Sequence, residues 1–263
     1  PQGPLLISIL DILSPDFVKI LYPGSKYTGG KYFFNRNKDS NYTNIRNISK
    51  NEIYSKNNQI TRIPQSLEDA LMFFYLTVII GVNKGEHPTT HNRTMMIHPS
   101  QLTEVHKIYL RWVKMIRNRW LDELAENDSD IDKNRLIDKF HFIYTEELNS
   151  SDYILTKNEI KNKISLVIKS TPIILANSTE KNILDWRENY SRILVGGMIL
   201  DRGFTVEGLN VTYMPRSIGV GNADTIQQRC RFFGYKKDYI DLCRIFLPRL
   251  STRAYIEYVN HEE

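Results

Sequence analysis

The sequence predicts an α/β protein with a central, mostly parallel sheet and a helical insertion. Three observations predict it. Short apolar segments alternate with helix-type segments through the second half of the chain, as in a sheet covered on both faces. A long amphipathic helix and a second helix run between Gln101 and Asn149, too long for connections and therefore an insertion beside the sheet. The 263 residues are 41% hydrophobic and 25% charged, ordinary for a globular chain able to bury a large core.

The elements are expected as follows. Leu5 to Leu13 is apolar and fits strand or helix, and Ser14-Pro15-Asp16 marks a turn or helix start. Tyr27 to Asn58 is rich in Asn, Lys, Tyr and Gly without a clean period, which predicts an irregular basic insertion with one short hairpin. Ser66-Leu67-Glu68-Asp69 fits a capping box, opening a helix that ends near Gly81. Thr94 to His98 reads as a buried strand, with Ser100 capping the next helix. In that helix Leu102, Val105, Tyr109, Trp112, Val113, Ile116, Trp120 and Leu124 recur mostly at steps of three and four. The two tryptophans fit its core face better than a base-stacking platform. A second helix is expected over about Ile131 to Leu148. Strands are expected at Ile164–Ile168, Pro172–Ala176, Ile193–Gly197, Leu209–Met214 and Leu242–Leu247, with a helix starting near Asp224 between the last two.

Charge is unevenly spread around a formal net of +5. Lys26, Lys31, Arg36, Lys38, Arg46, Lys50, Lys56 and Arg62 face only Asp39 and Glu52, and Arg229 to Arg253 forms a second basic cluster. An acidic run from Asp122 to Asp132 lies between them. Any one cluster is ordinarily solvated surface; together they permit a nucleic-acid track. The two cysteines, Cys230 and Cys243, make neither a disulfide framework nor a zinc site, so a cytoplasmic location is expected. The run Ala70 to Val82 is broken by Thr77 and is short for a bilayer, so it reads as a buried helix and no membrane partner is expected. The chain opens on Pro1-Gln2-Gly3-Pro4 without a Met, which predicts a piece of something longer.

The chemistry concentrates between Ile193 and Leu247. A buried strand ends in Gly196-Gly197, and Leu200-Asp201-Arg202-Gly203-Phe204-Thr205 follows. In open α/β sheets ligands bind beyond the carboxyl ends of strands. Glycines there admit a phosphate, and Arg202 and Thr205 offer donors. Further on, Gln227, Gln228, Arg229 and Arg231 share the stretch starting at Asp224. An arginine fixed on a helix reaches across a cleft to a γ-phosphate. Each element alone is more often a plain turn or a surface helix.

Their order, strand, Arg-Gly-x-Thr, strand, then Gln-x-x-x-Arg-x-x-Gly, resembles motifs V and VI of superfamily-two helicases. Thr205 stands where an acid is common, Cys230 where Gly is common, and Tyr235 where a last arginine is common. The whole chain resembles the Z-one domain family, a bacterial family described as endonucleases with a superfamily-two helicase-like core. Five stretches carry the resemblance. They are Leu13 to Asp16 with Tyr27 to Gly30, Ser66 to Leu71, Met95 to Ser100, Val195 to Leu209, and Asp224 to Tyr239.

The resemblance implies a RecA-like sheet, the second such domain of a motor, spanning residues 66–263. Residues 1–65 would lead in from a first RecA-like domain upstream. That domain would hold the phosphate loop and the Mg²⁺-binding acids, since no Gly-x-x-x-x-Gly-Lys-Ser/Thr occurs here. ATP and Mg²⁺ are the implied cofactors and DNA the implied partner. MORC-type ATPases, methyltransferases or nuclease subunits of restriction and defence systems are implied neighbours. Arg231 is the expected arginine finger, with Arg229 second and Gln227 or Gln228 orienting the phosphate or its water. Gly196, Gly197, Arg202, Gly203 and Thr205 are expected at the nucleotide. Lys31, Arg36, His98, Ser100 and Arg216 are expected along DNA, although His98 also suits a structural role.

Two other classes of function remain open at this point. A metal-dependent endonuclease is one, with Asp16 and Glu159-Ile160-Lys161 mimicking a metal site; residue types of this kind meet often by chance. A RecA-like interaction module without catalysis is the other. His91, His98, His106 and His141 lack the spacing of a zinc site.

Overall fold

Placement of the elements follows directly from which faces are apolar. The structure, a computed structural model, describes residues 24–34, 44–53, 60–148, 153–176, 185–197, 206–216 and 231–261. In chain order these hold β1 (Tyr27–Thr28), α1 (Gly30–Phe34), β2 (Ile45–Ile48), α2 (Gln65–Asn83), β3 (Arg93–Ile97), α3 (Thr103–Ala125) and α4 (Ile131–Leu148). There follow α5 (Lys157–Ser170), β4 (Ile173–Ala176), β5 (Ser191–Gly196), β6 (Leu209–Tyr213), β7 (Gly234–Tyr235), β8 (Arg244–Pro248) and α6 (Arg249–His261).

Six strands form one sheet in the order β2-β8-β6-β3-β5-β4, and every pairing in it is parallel. This is the RecA-like α/β arrangement the sequence predicts. Strands β3, β5, β6 and β8 are buried along their whole length, with helices over one face and helices together with Trp186 and Val206 over the other. The period of two is visible in the packing. Met95, Ile97, Ile193, Val195, Val211, Tyr213 and Phe246 turn to one face, against α2 to α5. Met96, Leu194, Leu209, Ile245 and Leu247 turn to the other, where α1 and α6 cover the β8 side.

Helix α2 is buried over nearly all of its circumference. It is long and apolar enough to cross a membrane, but most of it lies inside the protein, and packing on the sheet, α4 and α5 accounts for its composition. The capping box expected at Ser66–Asp69 does not form. The helix starts at Gln65 after Pro64 with no side-chain cap, so Ser66 lies inside the first turn. Its N–H donates to Glu52 Oε1 at 3.2 Å and its hydroxyl meets the Tyr213 hydroxyl at 2.9 Å.

The insertion α3–α4 matches its predicted extent closely, with Trp112 and Trp120 buried. Ser100 does not cap α3, which begins at Thr103; the Ser100 hydroxyl accepts from Leu102 N–H at 3.2 Å instead. Glu147, in the last turn of α4, ties the insertion to the sheet edge. It accepts from Arg46 of β2 at 2.6 Å (to Oε1) and from Arg244 of β8 at 2.8 Å (to Oε2).

Two segments differ from expectation. Ile164–Ile168 is helical, inside α5, and not a strand. Thr156 and Glu159 form a reciprocal capping box, and Ile160, Ile164, Val167 and Ile168 make one buried stripe. The basic stretch expected to be irregular supplies β2, the outer strand beside β8. Asn44 anchors it by donating to the carbonyls of Ile240 and Cys243, each at 2.9 Å. Among the described residues that stretch has no local hairpin: β1 pairs antiparallel with β7, more than two hundred positions away.

Candidate functional site

Parallel strands bring their carboxyl ends to one edge, where α/β proteins hold ligands. Here β3 runs into His98-Pro99-Ser100, β5 into Gly196-Gly197 and β6 toward Arg216, and these three strands are adjacent. The ladder continues past them: His98 N–H donates to Tyr213 O at 2.9 Å, and Met214 N–H to Phe246 O at 3.0 Å.

Arg216 and His98 meet at this edge. Arg216 Nη1 donates to His98 Nε2 at 2.7 Å, with both residues buried. A guanidinium has no acceptor and keeps its charge, so His98 Nε2 must be unprotonated and its ring proton sits on Nδ1. The positive charge of the pair therefore belongs to Arg216. Ser251, in the first turn of α6, donates to Arg216 O at 3.0 Å and fixes the backbone after β6. Helices α3 and α6 both start at this edge, so the positive ends of two helix dipoles face it.

The two glycines have packing reasons. A Cβ on Gly196 would stand 1.9 Å from Ala176 O, and one on Gly197 would stand 2.3 Å from His106 Cε1. The space beside each is thus filled by β4 and by α3. His106 Nε2 lies 2.8 Å from Ser100 O. A carbonyl only accepts, so Nε2 carries the proton and Nδ1 is left buried without a partner.

The structure brings together Gly196, Gly197, His98, Ser100 and Arg216 from the predicted set. It separates Lys31 from them. Lys31 lies exposed on α1, which packs on the far end of α6 near Val259, whereas Arg216 meets Ser251 in the first turn of that helix. Eight residues of helix span about 12 Å. Arg231, expected on a helix, is half-buried in a turn leading to β7, followed by Phe232, which packs on Phe33, Phe34 and Tyr255. Arg36, Arg202, Gly203, Thr205, Gln227, Gln228 and Arg229 lie outside the described residues, as does Asp16. Glu159 is engaged in its capping box.

Two residues at this edge escaped sequence reasoning as partners of the site. His106 sits beside Val105 on the buried stripe of α3, so only its position on that stripe hinted at burial. Ser251 gave no signal beyond its place just after Pro248. Away from the edge, Lys236 and Cys243 are buried together. Burial lowers the proton affinity of the Lys236 amine and raises that of the Cys243 thiol, and Lys236 Nζ donates to Leu209 O. That hydrogen bond ties the residue after β7 to the start of β6.

The Z1 domain model matches residues 66–263. No curated protein and no solved structure matches the chain. The match runs from the first turn of α2 to the end of the sequence, taking in β3 to β8 and the whole polar edge, and on that ground the chain belongs to the Z1 domain family.

Proposed function

We propose that this chain is the second RecA-like half of an ATP-dependent motor acting on DNA, of the superfamily-two helicase or translocase kind. One observation carries the reading: the buried Arg216–His98 pair stands at the carboxyl ends of adjacent parallel strands, beside two helix N-termini. At that edge Gly196 and Gly197, expected at the nucleotide, lie beside His98 and Arg216, expected along DNA, and a fixed guanidinium with positive helix ends suits phosphate groups. Among the described residues no three His, Cys, Asp or Glu side chains converge, so no residue here is assigned to Mg²⁺, which the other half of the cleft would hold. ATP would supply the driving free energy. This chain's own contribution is to orient the phosphates and to hold positive charge where negative charge develops.

The test is phosphate release. The chain alone should release phosphate from ATP no faster than a buffer blank, with or without DNA. Joined to the first half, it should turn over, and Arg231→Ala should lower kcat by roughly 10³–10⁵-fold with ATP affinity within a few-fold. Arg231→Lys should not rescue, because lysine lacks the planar fork, and Arg229→Ala should be milder. Turnover by the chain alone, or full kcat in Arg231→Ala, would overturn the reading.

A further inference from the structure

The two-stranded ladder β1–β7 displays a pair of tyrosines that the core does not use. Tyr27 and Tyr235 are cross-strand partners, 40% and 66% exposed, with ring centroids 5.5 Å apart and planes at 73°. Strand alternation explains the display. Thr28 and Lys236, their neighbours in the two strands, turn inward: Thr28 donates to Gly234 O at 2.9 Å, and Lys236 reaches Leu209 O beneath. The tyrosines must then turn outward. An exposed aromatic pair forfeits burial that a core would reward, and a ring held edge-on to its neighbour is preorganised.

Charge around the pair favours a polyanion. The exposed cations of residues 24–34 and 231–238 are Lys26, Lys31 and Lys237, against Asp238 as the single acid. Asp238 is spoken for by Lys26 at 2.7 Å, with both side chains in solvent. Aromatic faces between cations are what unpaired nucleobases require: the rings stack on bases and the cations follow the phosphates. Duplex DNA, whose bases are already stacked, offers nothing to the rings.

We propose that Tyr27 and Tyr235 form a stacking platform for unpaired bases, so that this surface holds single-stranded nucleic acid. The inference rests on the nucleic-acid reading of the chain and adds strand type and residues to it. It needs no nucleotide hydrolysis, so it is tested by binding alone.

The experiment titrates the chain with a labelled oligothymidylate, with an abasic oligonucleotide of the same length, and with a blunt duplex. The wild-type chain should prefer oligothymidylate to the abasic strand, which has the phosphates without the bases. Tyr235→Ala and Tyr27→Ala should each weaken oligothymidylate binding by roughly 5- to 150-fold, the range for loss of one stacked base. They should leave abasic and duplex binding and the salt dependence unchanged, since phosphate contacts set that slope. Tyr235→Phe should bind like wild type, because stacking does not need the hydroxyl. Unchanged melting temperatures in the Ala variants separate loss of stacking from loss of folding; where one falls, Tyr235→Phe against Tyr235→Leu repeats the comparison with the apolar bulk kept. Equal wild-type affinity for oligothymidylate and abasic strand would overturn the platform while leaving the DNA reading intact. No binding to any of the three would overturn both. Equal binding to anionic lipid vesicles would make the surface a general polyanion site and overturn the base-stacking claim.

Discussion

His98 Nε2 accepts from Arg216 Nη1 at 2.7 Å, which joins the carboxyl ends of β3 and β6 through a buried, charge-assisted contact. Removing the acceptor leaves the buried guanidinium to reorganise around its remaining partners. His98→Ala should therefore destabilise the protein by about 1.5–3 kcal/mol. Adding Arg216→Met should recover part of that loss, because the charge needing an acceptor is gone. Urea unfolding of the two single variants and the double variant measures the coupling. Additive losses would show that the contact contributes nothing.

Glu147 links the helical insertion to the sheet, and its protonation should set part of the acid limb of stability. Burial pushes its carboxyl upward, but the hydrogen bonds from Arg46 and Arg244 outweigh burial and hold it below the ordinary carboxylate range. A carboxyl depressed in the native state contributes stability above its unfolded value, and that contribution fades as pH falls toward the native one. Urea midpoints from pH 7 down to pH 3 should fall in wild type and flatten in Glu147→Gln. Glu147→Ala should cost about 3–5 kcal/mol at pH 7, because it removes the counter-charge of the fully buried Arg244 side chain, which keeps only carbonyl partners. A parallel acid limb in Glu147→Gln would assign the effect to other carboxylates.

Gly197→Ala drives a methyl group into the His106 ring, since a Cβ there would lie 2.3 Å from Cε1. Overpacking of this kind costs about 1–3 kcal/mol. The double variant Gly197→Ala with His106→Ala should be less destabilised than the sum of the two single variants. Gly196→Ala has no such rescue, because its obstacle is the Ala176 backbone oxygen. Thermal unfolding decides between a packing role and a ligand role: were the glycines present only for a ligand, both Ala variants would melt like wild type.

Thr156→Ala should lower stability by about 0.5–2 kcal/mol, since it removes the cap of α5, where Glu159 N–H donates to Thr156 Oγ1 at 3.2 Å. Glu159→Gln should cost less, because an amide still reaches back to the Thr156 N–H. Equal losses would assign the effect to the Glu159 charge.

That same helix shows where a sequence misleads. Ile164 to Ile168 is a short apolar run, which reads as strand or as one buried turn of helix. The cap eight positions upstream decides: Thr156 and Glu159 carry the Thr-x-x-Glu pattern that opens a helix. Ser66 and Ser100 show the converse. Each has the chemistry of a cap, yet each helix begins at a neighbouring position and their hydroxyls go elsewhere. Boundaries are set by how the helix seats on its neighbours, which local chemistry does not state.

Local patterns in the chain are enough for the α/β class, the extent of α3 and α4, and the strands that form β3, β4, β5, β6 and most of β8. Those elements carry enough apolar residues at one period to have a single buried arrangement. The sequence also carries the family resemblance, through the stretch from Val195 to Leu209 and its companions. That β2 joins the sheet, that β1 pairs with β7, and that Arg216 meets His98 follow only from long-range packing. Ile45-Arg46-Asn47-Ile48 has no strong pattern of its own and is ordered by β8 and by the anchoring side chains of Asn44 and Arg46. Long-range pairing and the partners of buried charges depend on which surfaces come together when the core closes. That is a property of the whole chain, and no local window of sequence contains it.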